Sequence, residues 1–453
     1  MFCDHRDIHF IGVGGVSMKS LALLCRERGM DVSGSDREDS GVLAMLAAHG
    51  INAYSGHDPG YAATRSLVVY TAAVPRDDPE LAAAREAGAL CMERKAFLAL
   101  VASEFEKTVA IAGSHGKTTT TAMLCAILRA EGRKFVGHIG GDCVGDECAS
   151  TGGDELFVTE ACEYNRTFLA LKPDVAAVLG IAFDHPDCYR DLAELKAAFR
   201  DFASNIERGG ALVVRTSEKG LCPKGVRCVT FGYSECDYRA EDVCYSDGRY
   251  SFVAAERGVR KAVCRLKVRG KFNVVNALAA IALAAQLGIP AERSAAALEG
   301  FNGVKRRFER LGTLATGAEV FTDYAHHPDE IAAAIDTARV MTKGAIVAVF
   351  EPHTFSRTKA MAKEFVECFY WADEVLILPT YAARERPSDG ESAYDLYMRL
   401  KARREESLYM PDYAALRSYL SAHTREGDAV LLLGAGTVNG AAAGMVRDRK
   451  SVV

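Results

Sequence analysis

Short unbroken apolar runs alternate along the chain with longer stretches in which apolar residues return every third or fourth position. The first run, "IHFIGVG" from Ile8, reads as a strand, and "VSMKSLALLCRERG" after it keeps helical spacing up to Gly29. "MDVSGSD" is a second strand, ending at Ser35 and Asp36. "SLVVYTAAV" and "ALCMER" are strands on either side of the helical "DPELAAAREAG". Strands alternating with helices predict a parallel sheet that binds ligands beyond its strand C-termini. This first block covers residues 1–107.

A second block, 108–311, opens with the strand "TVAIAG", a glycine-rich turn and the helix "TTTTAMLCAILRAEG". The strands "ELFVTEA" and "VAAVLGI" follow, and the less regular stretch from about 210 to 268 reads as antiparallel. "NVVNALAAIALAAQLG" is apolar on every side, a helix that buries most of its surface and stops at Gly288, ahead of Pro290. The third block, 312–453, holds "AEVFTDYAHHP", the helix "PDEIAAAIDTARVM", and the strands "AIVAVFEPH" and "EVLILPTY". It closes on the strand–glycine turn–helix "DAVLLLGAGTVNGAAAGMV". The blocks are not copies of one repeat, and the fold class they predict is α/β.

Size agrees with this division, because 453 residues exceed what one hydrophobic core usually organises. The formal net charge of −5 gives no general basic surface for nucleic acid. No apolar stretch reaches the roughly 18 residues of a membrane span, and "MFCDHRDIHF" lacks the order of a secretory signal. A cytoplasmic protein, without membrane insertion, monomeric or homodimeric, is expected. Among 14 cysteines there is no CxxC pair, and Cys222, Cys228, Cys236, Cys244 and Cys264 are too widely spaced for a metal signal. Reduced structural thiols are expected.

Two glycine turns carry the candidate chemistry. In "GSHGKT", Gly113, Ser114, His115 and Gly116 let backbone N–H groups approach phosphate oxygens. Lys117 adds charge, and Thr118 and Thr119 start a helix. The Thr118 hydroxyl suits magnesium. The spacing falls short of the full GxxxxGK[ST] form, because Ile111 stands in place of its first glycine. The N-terminal turn has Gly12, Gly14 and Gly15 but Ser17 at the third dinucleotide-motif position. Asp36 follows about 20 residues on, placed to accept ribose hydroxyls. That turn suits a nicotinamide dinucleotide or another nucleotide diphosphate.

Polar residues close several strands. Glu160 ends "LFVTE", and Asp184 and His185 follow "AVLGIAF", a set that suits magnesium above phosphates. "YAHHP" brings His326 and His327, and "EPHTFSRT" brings His353 and Arg357. Arg306, Arg307 and Arg384 are candidates for pairing with carboxylate or phosphate oxygens. Capping roles and surface salt bridges are the alternatives for any one of them.

Taken together, "HFIGVGGVSM", "SGSD", "VVYTAAV", "GSHGKTTTT", "TEACEYNRTFL", "DHPDCY", "NVVNALAAIA", "GVKRRFE", "DYAHHPDEI", "EPHTFSRT", "YAARE" and "GAGT" resemble, in order and over nearly the whole chain, the Mur ligase family. The resemblance implies a Rossmann-like UDP-sugar domain, a central P-loop ATPase-like domain with additional strands, and a Rossmann-like C-terminal domain that closes over both. It implies ATP and Mg2+ as cofactors and UDP-N-acetylmuramate and L-alanine as substrates, joined through an acyl phosphate. Lys117 would bind ATP phosphates, with Thr118, Glu160 and His185 at metal positions. Asn273 and Asn276 would lie near the ATP base, with Arg307 also on the nucleotide. Gly12, Gly14, Gly15 and Asp36 would face the UDP-substrate, and His327, His353, Arg357 and Arg384 the remaining substrate groups.

Several positions depart from the family pattern. Gly180-Ile181-Ala182 replaces the usual Asn-Ile-Glu, Phe272 replaces a histidine, and Glu351, Thr354 and Phe355 replace Gln, Arg and Tyr. These departures leave open a related ligase for another amino acid or peptide, or a non-catalytic nucleotide-binding regulator. A dinucleotide oxidoreductase is the reading that the second phosphate loop weighs against.

Overall fold

The computed structural model describes residues 6–38, 41–383, 385–442 and 444–447. Three sheets follow one another along the chain, giving the three-domain α/β architecture that the pattern predicts. The first contains β1 (Asp7–Ile11), β2 (Asp31–Asp36), β3 (Asn52–Ser55), β4 (Leu67–Tyr70) and β5 (Leu90–Glu93), all parallel, in the order β3-β2-β1-β4-β5. The order reverses between β1 and β4. The glycine turn after β1 therefore opens at the switch point where parallel sheets bind ligands.

The second sheet holds β6 (Lys107–Ala112), β7 (Val136–His138), β8 (Leu156–Glu160), β9 (Val175–Val178), β10 (Ala211–Arg215), β11 (Arg227–Gly232), β12 (Tyr238–Ser246), β13 (Arg249–Glu256) and β14 (Val259–Arg265). Its order is β14-β13-β12-β11-β10-β9-β6-β8-β7, parallel from β7 to β12, with β12 to β14 an antiparallel meander. Strand β6 is apolar from Val109 to Ala112 because both of its faces are covered there. Val109 and Ile111 pack into the core shared with the helices Lys117–Ala130 and Phe272–Gln286. Ala110 and Ala112 face the opposite core, which runs on into the N-terminal domain through Phe97, Phe105 and Phe157. Phe105 stacks on Phe157 with centroids 5.0 Å apart, fastening the two domains.

The third sheet comprises β15 (Glu309–Thr313), β16 (Glu319–Asp323), β17 (Ile346–Phe350), β18 (Glu374–Ile377), β19 (Ser407–Tyr409) and β20 (Ala429–Leu433), ordered β15-β16-β20-β17-β18-β19. Only β15 runs antiparallel to its neighbour. Among the described residues no helix is long and apolar enough to cross a membrane.

Two cysteine pairs correct the expectation of reduced thiols. Cys143–Cys148 and Cys222–Cys228 are disulfides, with Cα atoms 6.6 and 6.0 Å apart. Each pair closes a short loop in which the chain turns back on itself. A search for CxxC spacing passes over such pairs.

Candidate active site

Strand β6 delivers the chain into a turn that only small residues can make. Gly113 and Gly116 have φ of +141° and +83°, and a Cβ on Gly116 would lie 2.5 Å from the Asn276 side-chain oxygen. Ser114 donates its N–H to the Gly180 carbonyl at 3.0 Å, and its hydroxyl lies 2.8 Å from the Ala182 carbonyl and accepts the Ala182 N–H at 3.0 Å. The replaced Gly180-Ile181-Ala182 segment therefore braces the loop through backbone groups. Asn276 donates to Asn273 at 2.9 Å, and Asn273 donates to the Arg269 carbonyl at 2.6 Å. Asn276 thus reaches the turn while Asn273 stands behind it.

Lys117 lies folded onto its own loop. Its ammonium donates to both oxygens of Glu163, at 2.8 and 3.0 Å, and to the carbonyls of Ser114 and Gly113. Burial alone would lower the Lys117 pKa, but the Glu163 charge outweighs it and the net shift is upward. Thr118 donates its hydroxyl to Glu160 at 3.1 Å, and Gly140 N–H donates to the other Glu160 oxygen. Burial pushes the Glu160 pKa up, outweighing the Gly140 N–H and the charges of Lys117 and Arg307. Oxygen donors in that condition fit a hard divalent cation.

His185 lies 3.8 Å from Glu163, the carboxylate that holds Lys117. The expected trio of Thr118, Glu160 and His185 is thus divided between two carboxylates. Among the described residues, the compact three-donor groups of His, Cys, Asp or Glu are His115–His327–Asp329 and His57–Asp78–Glu80. Glu163, buried and touching both Lys117 and His185, was not singled out by sequence. Its signal was the second glutamate of "TEACE".

The C-terminal domain completes the site. His115 Nδ1 donates to Glu330 at 3.1 Å, and Arg307 donates to the Thr118 hydroxyl at 3.4 Å. His327 caps the helix Pro328–Met341 through Asp329 N–H, and its Nε2 lies 2.9 Å from the Phe183 carbonyl. Both nitrogens of that ring are engaged. Arg357, 6% exposed, pairs with Asp184 at 2.9 and 3.0 Å and donates to His353 at 2.9 Å. His353 stacks on Tyr381, and burial lowers its pKa to about 3, so it is neutral. Arg384 lies outside the described residues. Glu351 accepts the N–H groups of Thr437 and Val438 at 2.7 and 3.2 Å, tying β17 to the glycine turn after β20.

Between the two domains opens a cavity of about 960 Å³. His115, Gly116, Thr119, Asn276, Arg307 and Glu330 are among its lining residues, and Gly180, Ala182 and Phe272 reach it too. Three of the departures from the family pattern thus lie on the cavity wall. A Cβ at Gly180 would meet nothing closer than Arg215 at 3.7 Å, so the missing side chain leaves space there.

The N-terminal glycine turn is built separately. Gly12 and Val13 donate their N–H groups to the Ser35 carbonyl at 2.8 and 3.0 Å, and Gly14 N–H donates to Asp36 at 2.8 Å. A Cβ on Gly14 would lie 2.8 Å from that carboxylate. Gly15 begins the following helix, Val16–Glu27, as its N-cap. Ser17 lies 2.9 Å from His138 of β7 and accepts from Arg94 at 3.2 Å. The residue standing in for the third glycine therefore points the turn at the central domain.

A phosphate-type loop at an interdomain cleft, with a second glycine turn tied to the central sheet through Ser17, defines a three-domain nucleotide-binding α/β protein. Residues 7–106 match the Mur ligase family catalytic domain, 111–284 the Mur ligase middle domain, and 306–436 the Mur ligase glutamate ligase domain. The chain is 36% identical to the UDP-N-acetylmuramate–L-alanine ligase of Caldicellulosiruptor bescii, over 95% of this chain and 96% of that one. It is 38% identical to the ligase of the same name from Caldanaerobacter subterraneus subsp. tengcongensis, over 95% of each chain. The crystal structure of the UDP-N-acetylmuramate–alanine ligase of Thermotoga maritima is similar with a TM-score of 0.82, at 28% identity, over 97% of this chain and 98% of that one. The chain belongs to the Mur ligase family.

Proposed function

We propose that the chain joins L-alanine to UDP-N-acetylmuramate in the cytoplasm, with cleavage of ATP to ADP and phosphate, as a step of peptidoglycan synthesis. The observation that carries this reading is similarity to ligases of that name over nearly the full length of both partners. A lactyl carboxylate oxygen attacks the γ-phosphorus, the β–γ bond breaks, and ADP leaves an acyl phosphate. The neutral amine of L-alanine adds to the acyl carbon. The tetrahedral intermediate expels inorganic phosphate and the amine loses its proton, leaving the amide.

Each residue has a place in this scheme. Lys117 and the N–H groups from Gly113 to Thr119 face the phosphates, with Lys117 leaving Glu163 to do so. Asn276, supported by Asn273, meets the base, and Arg307 adds charge beside Thr118. Magnesium held by Thr118 and Glu160, with His185 beside Glu163, would supply positive charge to the phosphate oxygens. Gly12, Gly14, Gly15 and Asp36 receive the UDP moiety. His353 and, by the family resemblance alone, Arg384 would serve the amino-acid side; His327, with both ring nitrogens bonded, holds the closing face together with Arg357 and Asp184. Closure aligns the amine and keeps water from the activated acid.

The test is a mass-spectrometric screen of single amino acids with purified protein, ATP, magnesium and UDP-N-acetylmuramate. Amide formed with L-alanine, matched by ADP release, is expected. Folded protein that binds ATP but forms no amide with any amino acid overturns the reading, and amide with a different amine reassigns the substrate.

A further inference from the structure

Far from the phosphate loop, the N-terminal domain gathers a second set of donors. His57, just after β3, meets Asp78 and Glu80, at the start of the helix Pro79–Glu86, with one donor atom each within 4.8 Å of the others. Asp78 gives one oxygen to the N–H groups of Glu80 and Leu81, at 3.1 and 3.2 Å. Its other oxygen is turned to His57 Nδ1 at 3.8 Å, and Glu80 Oε2 lies 3.4 Å from the same nitrogen. A tetrahedral ion with bonds of about 2.1 Å spaces its donors by roughly 3.4 Å. Both carboxylates are buried, whereas His57 is 36% exposed and opens the group to solvent on one side.

Charge is unbalanced here. The Glu80 side chain is wholly buried. Its partners are Ser35, Tyr54, Asp58, His57 and His9, with no lysine or arginine among them. His9 is wholly buried. Its Nδ1 is bonded to Ser33 at 3.0 Å, while its Nε2 has no hydrogen-bond partner and faces Glu80 at 3.6 Å. A buried polar atom left unspent beside a buried charge marks a site that the side chains alone do not complete.

We propose that His57, Asp78 and Glu80 form a site for a divalent transition metal of the zinc type, with water in the open fourth position. One imidazole and two carboxylates suit such an ion, where the oxygen set at Thr118 and Glu160 suits magnesium. The site also touches the UDP-facing turn. Glu80 accepts the Ser35 hydroxyl, and the Ser35 carbonyl holds Gly12 and Val13. An ion here braces that turn from behind.

The experiment titrates chelator-treated full-length protein with Co2+ in excess magnesium, following visible absorption, and then adds Zn2+. One equivalent of Co2+ with the strong bands of a four-coordinate ion, displaced by Zn2+, is expected. His57→Ala and Asp78→Asn should each weaken binding at least tenfold, with folding checked by thermal melts, while His185→Ala retains it. Absence of Co2+ uptake overturns the proposal. So does uptake that survives both N-terminal variants, and loss in His185→Ala instead would assign the ion to the nucleotide cleft.

Discussion

Lys117 and Glu163 show how one residue pair serves both fold and chemistry. The Glu163 side chain is 1% exposed and its carboxylate touches Lys117 through both oxygens. Removing the lysine leaves that charge buried and unpaired, which costs about 3 kcal/mol. Removing a cationic donor from developing phosphate charge costs on the order of a hundredfold to a thousandfold in rate. Lys117→Ala is therefore expected to lower both the melting temperature and ATP-dependent amide formation. The double variant Lys117→Ala/Glu163→Gln should regain most of the thermal stability and none of the turnover. Wild-type turnover in either variant would remove Lys117 from the chemistry.

At the scale of elements, the helix Lys117–Ala130 is enclosed from Thr118 to Leu128. Thr118 has Glu160 for its hydroxyl, but the Thr120 and Thr121 hydroxyls are buried without a partner. A buried unpaired hydroxyl costs about 1–3 kcal/mol, and valine fills the same volume without it. Thr121→Val is expected to raise the melting temperature or leave it unchanged while preserving nucleotide affinity. A clear loss of stability would mean that this hydroxyl has a partner in solution. The same burial explains what was legible in sequence. Strands such as β17 and β20 are covered on both faces and read as continuous apolar runs, and the helix Phe272–Gln286 is apolar all round for the same reason. β3, "NAYS", is nowhere fully buried and gives no such run, and the helix Arg94–Ala102 passes unmarked between charged neighbours. Both glycine turns were legible because each is local in sequence. Glu163 meets Lys117 across 46 positions and Arg357 meets Asp184 across 173, distances at which no spacing rule operates.

Over the whole molecule, closure of the C-terminal domain rests on a few charged contacts with the central domain. Burial works against charge on His115, but Glu330 and Asp329 outweigh it and raise its pKa to about 10. Its contribution is complete below its ordinary value near 6.5 and is lost as pH rises through about 10. Asp184 is the opposite case. Burial would raise its pKa, but His185 and Arg357 hold it well below the carboxylate range. Its contribution is present above the ordinary value near 3.9 and disappears only in stronger acid. Both contacts therefore persist across neutral pH, and the radius of gyration from solution scattering should stay flat from about pH 6 to 9 and grow as pH approaches 10. Arg357→Ala leaves Asp184 buried without its guanidinium. It should expand the molecule at neutral pH and lower kcat/KM for amide formation by roughly tenfold to a hundredfold. His115→Gln should remove the alkaline expansion while leaving the acid limb in place. If Arg357→Ala keeps wild-type scattering and kinetics, the domains are held by contacts such as the hydrogen bond from His327 to the Phe183 carbonyl, and the Arg357–Asp184 pair is not what closes the cleft.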